Sequence, residues 1–137
     1  MTLIDTGPLV ALCDPHDSRH RTASKHLKAL AKADFRLCEA VLVETCFHLP
    51  RRAQRQRLWA VIDELDIEPL PDGGDLDFWM EVLGWLVKYA DHEPDWADAS
   101  IAVLSGRDAK LKVWTYDREF RTIWRRPNGT PIPMAVQ

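Results

Sequence analysis

Apolar and polar positions run along the chain in short blocks whose spacing switches between that of strands and that of helices. Thr2 to Ile4 form an apolar run that ends at Asp5, and Gly7-Pro8 then opens Leu9 to Leu12. This predicts a strand, a turn and a helix, with Asp5 where the strand gives way to the helix. Asp14 to Arg21 is polar and broken by Pro15, a loop, before Ala23, Leu27, Leu30 and Ala31 mark the apolar side of a second helix that carries lysines on its other side. Phe35 to Leu37 reads as a second strand. Ala40 to Leu49 is a nearly all-apolar helix that Pro50 closes, and Glu44 is the one carboxylate inside it.

Further on, Arg51 to Leu65 is predicted as a helix, Ile67 to Leu70 as a strand and Pro71-Asp72-Gly73-Gly74 as a turn. Asp77 to Tyr89 resumes a helix rich in Trp, Phe and Leu. After Asp91 to Pro94 come a helix in PDWADASIAVL, a strand at Leu111 to Thr115 and a short helix at Asp117 to Trp124. The tail from Pro127 is expected to end in a weak edge strand. Strands that alternate with helices imply a parallel sheet covered on both faces. The expected class is therefore α/β, a three-layer α/β/α domain with a mainly parallel central sheet of four or five strands. At 137 residues, with no internal repeat, the chain reads as a single domain over residues 1–137.

Composition narrows the functional classes. Apolar residues are 46% and charged residues 28%, ordinary for a packed globular domain. The longest apolar runs, such as Ala40 to Val43, fall far short of the ~20 residues that cross a bilayer. The opening MTLIDTGPLVAL has no basic leader, so a cytoplasmic location is expected. Cys13, Cys38 and Cys46 are odd in number and lie in or beside apolar segments, which fits reduced core thiols. The net charge of −3 argues against a dedicated nucleic-acid surface, so any such role must rest on local patches.

Several acids stand where acids are expensive. Ligands of parallel sheets bind outside the carboxyl ends of the strands, and both Asp5 and Asp117 follow predicted strands. Glu44 falls on one helix face with Ala40, Val43 and Phe47, where an unpaired carboxylate would be costly. Asp98 lies beside the stripe of Ala97, Ile101 and Leu104, with Asp95 one turn earlier. Each has a plain structural explanation: Asp5 as a helix cap, Glu44 paired with a buried arginine, Asp95 as an N-cap, Asp117 opening a turn. Together, four acids at strand ends and core-facing helix positions would repel one another unless a cation sat among them. Oxygen ligands with no accompanying histidine suit Mg²⁺ or Mn²⁺.

LIDTGPLVAL at the start, LVET in the second quarter, DWADASIAVLS, and VWTYDREF near the end together resemble the PIN domain, and by size its VapC-type toxin branch. The resemblance covers nearly the whole chain, with the motifs in the family's order. It implies hydrolysis of RNA phosphodiesters with Mg²⁺ or Mn²⁺, with Asp5, Glu44, Asp98 and Asp117 as the acidic quartet. Asp5 and Asp98 are expected as direct ligands, and Glu44 and Asp117 as ligands or orienters of metal-bound water. Thr6 and Thr115 match supporting polar positions, and Asp95 is a possible fifth acid. By the same resemblance a homodimer and a small antitoxin partner are expected. Two alternatives stand beside the toxin reading: a PIN nuclease of RNA processing, and a PIN-like module that grips RNA or protein without turnover. Gln56 to Glu93 carries no family signature.

RNA held against four acids needs basic residues nearby. Arg51, Arg52, Arg55 and Arg57 form one group, for which a solvated helix face is an equal explanation. The second group follows Asp117, and within it Arg118 and Arg121 are expected to touch phosphate. The helix holding Trp79, Trp85 and Leu86 suits either a partner surface or the core. His16 and His20 have a zinc-like spacing, yet no second ligand pair follows. No glycine-rich phosphate loop or nucleophile elbow is present. An aspartyl-phosphatase reading of Asp5 fails because Gly7 stands where a second acid is wanted.

Overall fold

The alternation of the sequence becomes a four-stranded parallel sheet. A computed structural model describes residues 1–71 and 74–137; part of the turn expected at Pro71 to Gly74, namely Asp72 and Gly73, lies outside the described residues. The strands are β1 (Thr2–Ile4), β2 (Phe35–Leu37), β3 (Glu68–Pro69) and β4 (Lys112–Trp114). Their order is β3-β2-β1-β4, with Leu3 opposite Arg36 on one side and Val113 on the other. The helices are α1 (Thr6–Cys13), α2 (His20–Ala29), α3 (Glu39–His48), α4 (Arg52–Glu64), α5 (Leu76–Lys88), α6 (Trp96–Arg107) and α7 (Glu119–Thr122), and they flank the sheet in the expected three-layer α/β/α arrangement. A 3₁₀ turn at Ala90–His92, not foreseen from the pattern, links α5 to α6.

β1 occupies the centre because all of Thr2, Leu3 and Ile4 are buried, and a short strand without a polar side survives only when covered on both faces. Trp114, Phe120 and Trp124 are the largest fully buried side chains, and they join Leu3, Ile4, Val41 and Ile101 in one core. Trp85 belongs to this core and donates from its indole nitrogen to the Arg125 carbonyl, whereas Trp79 is exposed. The two readings of that helix thus divide by residue. No disulfide joins Cys13, Cys38 and Cys46, of which the first two are buried.

Two expectations need correction. The tail does not form an edge strand; it touches β4 through a single parallel bridge between Val113 and Met134, while Arg125 and Pro131 form another isolated bridge. Pro131 and Pro133 lack the N–H groups a ladder requires, so pairing stops after Val113 has bonded to the Pro133 carbonyl and accepted from Ala135. The apolar face of α3 that carries Glu44 does not point to the core either. Val43 is 65% and Phe47 79% exposed, and the buried side of that helix is made by Val41 and Thr45. The sequence pattern of a helix apolar on most sides does not say which side meets the core.

Candidate active site

Three consecutive features of the β1–α1 junction place Asp5. Its N–H donates to the Trp114 carbonyl, which extends the β1–β4 ladder by one residue. Its extended backbone makes it the N-cap of α1, with Oδ1 accepting from the Thr6 N–H at 2.8 Å. Oδ2 then accepts from the Thr115 hydroxyl at 2.7 Å. The carboxyl is only 7% exposed. Burial raises its pKa to about 6, against the lowering effect of the Thr115 and Thr6 hydrogen bonds, and the charges of Glu44 and Asp117 push it further up.

Thr115 ties the two ends of the sheet edge together. It donates to Asp5 and accepts from the Asp117 N–H at 3.0 Å, so one hydroxyl sets both acids. Asp117 Oδ1 in turn accepts from the Glu119 N–H at 2.9 Å, which opens α7. Thr6 plays the matching part on the other side, donating from Oγ1 to Glu44 Oε2 at 3.0 Å. Asp98 and Asp95 form a reciprocal capping box at the start of α6: Asp95 Oδ1 accepts from the Asp98 N–H at 2.8 Å and Asp98 Oδ2 from the Asp95 N–H at 3.1 Å. Burial pushes the Asp98 carboxyl well above the usual carboxylate range, and the charges of Asp95 and Asp5 act in the same direction.

These groups face one open cavity of about 440 Å³ at the carboxyl end of the sheet, lined by Asp5, Thr6, Glu44, Asp95, Asp98 and Asp117. The acids come from β1–α1, α3, α6 and β4–α7, four segments that meet only in the fold. The structure therefore brings the expected quartet together, with Asp95 on the same rim and Thr115 beneath it. Arg118 and Arg121 do not line the cavity; the Arg121 guanidinium donates to the Val136 carbonyl, and Arg118 is exposed at the start of α7.

Asp17, Ser18, Arg19, His48 and Tyr116 also line the cavity and escaped the sequence reading. His48 lies one turn beyond Glu44, with Nε2 at 3.7 Å from Glu44 Oε1, so a histidine does accompany the acids. Spacing by four on a helix was the available signal. Arg19, in the loop before α2, lines the cavity as well, and nothing in the sequence announces it. His16 and His20 are no zinc pair: His20 Nδ1 lies 2.7 Å from the Ala11 carbonyl, and His16 sits in the turn capped by Asp14.

The sequence model of the PIN domain matches residues 2–124, which is most of the chain. The chain belongs to the PIN domain family. Among solved structures, this PIN domain is similar to the crystal structure of Mycobacterium tuberculosis VapC20, a sarcin-ricin loop cleaving toxin. The two share 24% identity and superpose with a TM-score of 0.67 over 89% of this chain and 94% of the other. No curated protein matches by sequence.

The donor set of this PIN domain is made of carboxylate oxygens, the ligand type of hard divalent cations. Asp5 and Asp98 both hold their protons more tightly than exposed aspartates, because each is buried near other negative charge. A cation among them would relieve that repulsion, so the residues fit a divalent metal. Among the described residues no three acid, histidine or cysteine side chains already stand together as a finished metal cage.

Proposed function

We propose that this PIN domain is a metal-dependent endoribonuclease of the VapC type, the cytoplasmic toxin of a toxin–antitoxin pair. The observation that carries the reading is the meeting of Asp5, Glu44, Asp98 and Asp117 in one cavity of a chain that belongs to the PIN family. Likeness of fold to a toxin that cleaves the sarcin-ricin loop supports RNA as the substrate class.

Asp5 and Asp98 are the residues to hold Mg²⁺ or Mn²⁺, and Glu44 and Asp117 complete the acidic wall. Such an ion, when bound, lowers the pKa of water and neutralises charge on a phosphodiester during hydrolysis, leaving 5′-phosphate and 3′-hydroxyl ends. The protein's own share is positioning. The Thr115 hydroxyl fixes the Asp5 carboxylate and the Asp117 backbone at once, Thr6 fixes Glu44, and the Asp95 cap orients the first turn of α6 that carries Asp98. Arg118 and Arg121 are proposed as outer contacts to the RNA backbone.

The partners expected of this reading have surfaces to use. Leu76, Trp79, Met80, Leu83 and Val87 form an exposed stripe along α5, and Val43 and Phe47 project from α3. Val43, Phe47, Trp79 and Trp96 also line a trough of about 780 Å³ that shares Glu44, His48 and Asp95 with the acidic cavity. Apolar exposure on this scale is typical of an interface, here proposed for a homodimer and for the antitoxin.

The test is cleavage of a labelled RNA panel by wild type and Asp98→Asn, each with Mg²⁺, Mn²⁺ or chelator. Wild type alone should cut, chelator should stop it, and Asp98→Asn should lower kcat at least about 100-fold, the scale of a lost transition-state charge contact. Cleavage that survives in both Asp98→Asn and Asp5→Asn overturns the assignment. RNA bound but never cut by wild type favours the module without turnover.

A further inference from the structure

Arg19 differs by what it touches from the arginines that hold the fold together. Arg36 pairs with Asp34 and Glu68, Arg107 with Glu81, Arg55 donates to the carbonyls that end α3, and Arg126 donates to Ser105. These guanidiniums are spent on holding the fold. Arg19 lies on the ring of Tyr116, its guanidinium carbon 5.1 Å from the ring centroid, and donates one bond to the Tyr116 carbonyl at 3.2 Å. Among the described residues no carboxylate lies within ion-pair distance of it. A guanidinium has five N–H donors, so most of its capacity is open.

The platform beneath it is fixed. Tyr116 stands between Thr115 and Asp117, both tied into the acidic site, and its hydroxyl meets the Trp114 indole nitrogen at 3.2 Å and His26 Nδ1 at 2.8 Å. The loop is held as well, since the Arg19 N–H donates to Asp17 Oδ1 at 2.8 Å. Arg19 and Tyr116 line the acidic cavity on one side and a second cavity of about 340 Å³ on the other, where Arg121 and Thr22 also face. They form the sill between the two. Among the described residues lining the acidic cavity, Arg19 is the one arginine, in company with the carboxylates of Asp5, Asp17, Glu44, Asp95, Asp98 and Asp117.

A polyanion cannot approach such a group of acids by the metal alone, because the phosphates flanking the reacting one meet uncompensated negative charge. Resting on the nuclease reading above, we propose that Arg19 is a substrate-positioning residue: laid on Tyr116, it takes the RNA phosphate next to the one being cleaved, and the strand leaves the acidic cavity over this sill. A planar guanidinium already stacked and oriented loses little freedom on gripping a phosphate through two parallel N–H groups. Lysine in its place would keep the charge and lose the fork.

The experiment compares wild type, Arg19→Ala and Arg19→Lys on one RNA that wild type cleaves, with kcat and KM measured over a series of KCl concentrations. Arg19→Ala should raise KM about tenfold, the scale of a charge-assisted hydrogen bond, and leave kcat within about threefold. The slope of log KM against log salt should fall by about 0.7, one phosphate contact on a single strand. Arg19→Lys should restore the slope and only part of the KM. A merely structural Arg19 would lower the unfolding midpoint without moving the salt slope. An unchanged KM and slope in Arg19→Ala, or a loss confined to kcat, overturns the proposal and leaves the nuclease reading intact. Should wild type cut no RNA, the same salt series read by fluorescence anisotropy on a labelled hairpin applies: a slope lost in Arg19→Ala upholds the sill with the cleavage reading gone, and equal slopes or no binding overturn it.

Discussion

At the scale of single residues, the site is built from carboxylates that the fold holds under strain of charge. Asp5 keeps its proton up to about pH 6, whereas an unfolded aspartate releases it near about 4. Without metal the folded state therefore binds that proton more tightly than the unfolded state. Stability is greatest below about pH 4 in this respect and declines as pH rises through about 6. In chelator, Asp5→Asn should therefore raise the unfolding free energy at pH 7.5 by roughly 1–2 kcal/mol, two pK units less part of the Thr115 hydrogen bond. Denaturant titration should show the gain vanish near pH 4, and a variant no more stable than wild type at pH 7.5 contradicts the buried-charge account. Asp5, Glu44, Asp98 and Asp117, which line one cavity, were singled out because each acid was unexpected in its own pattern, and Thr6 and Thr115 entered only through the family resemblance. Arg19 was not, since its meaning depends on a ring and a carbonyl 97 positions away.

At the scale of elements, periodicity located the four strands and seven helices of the described residues to within a few residues, because turns and prolines punctuate them clearly. It failed where geometry outside the element decides. The orientation of α3 follows from its packing against α1 and α6, and an apolar side turned to solvent reads the same as one turned inward. The tail shows the converse, a segment whose prolines forbid the ladder that its apolar residues suggest. The N-terminus of α6 combines cap and site in neighbouring acids, which can be separated by mutation. Asp95→Ala removes the cap acceptor and should cost about 1 kcal/mol of stability. It should still cleave RNA, whereas Asp98→Asn should be folded and inactive. Thermal unfolding and cleavage measured on the two variants check this; an Asp95→Ala protein as inactive as Asp98→Asn would make Asp95 a member of the site.

For the molecule as a whole, the exposed apolar stripe of α5 and the projecting Phe47 of α3 are out of proportion to a free monomer surface. Phe47→Glu combined with Leu83→Glu should leave folding unchanged, because Phe47 is largely and Leu83 about half exposed, and convert a dimer to a monomer in sedimentation or light scattering. A wild type that sediments as a monomer at all concentrations removes the homodimer from the proposal. None of the described helices is long and apolar enough to cross a membrane.

The hydrogen bond from Thr115 to Asp5 joins residues 110 positions apart, and β1 is sandwiched between β2 and β4. Chains are made from the amino end, and pairing across such separations comes late in folding. A ribosome that has produced Asp5, Glu44 and Asp98 has therefore made three of the acids and no working centre. Only when residues 112–117 emerge can Asp5 be clamped and the fourth acid supplied. On the proposed nuclease reading, the order of synthesis would act as a safety catch, keeping the chain inert towards the messenger and ribosome that are producing it.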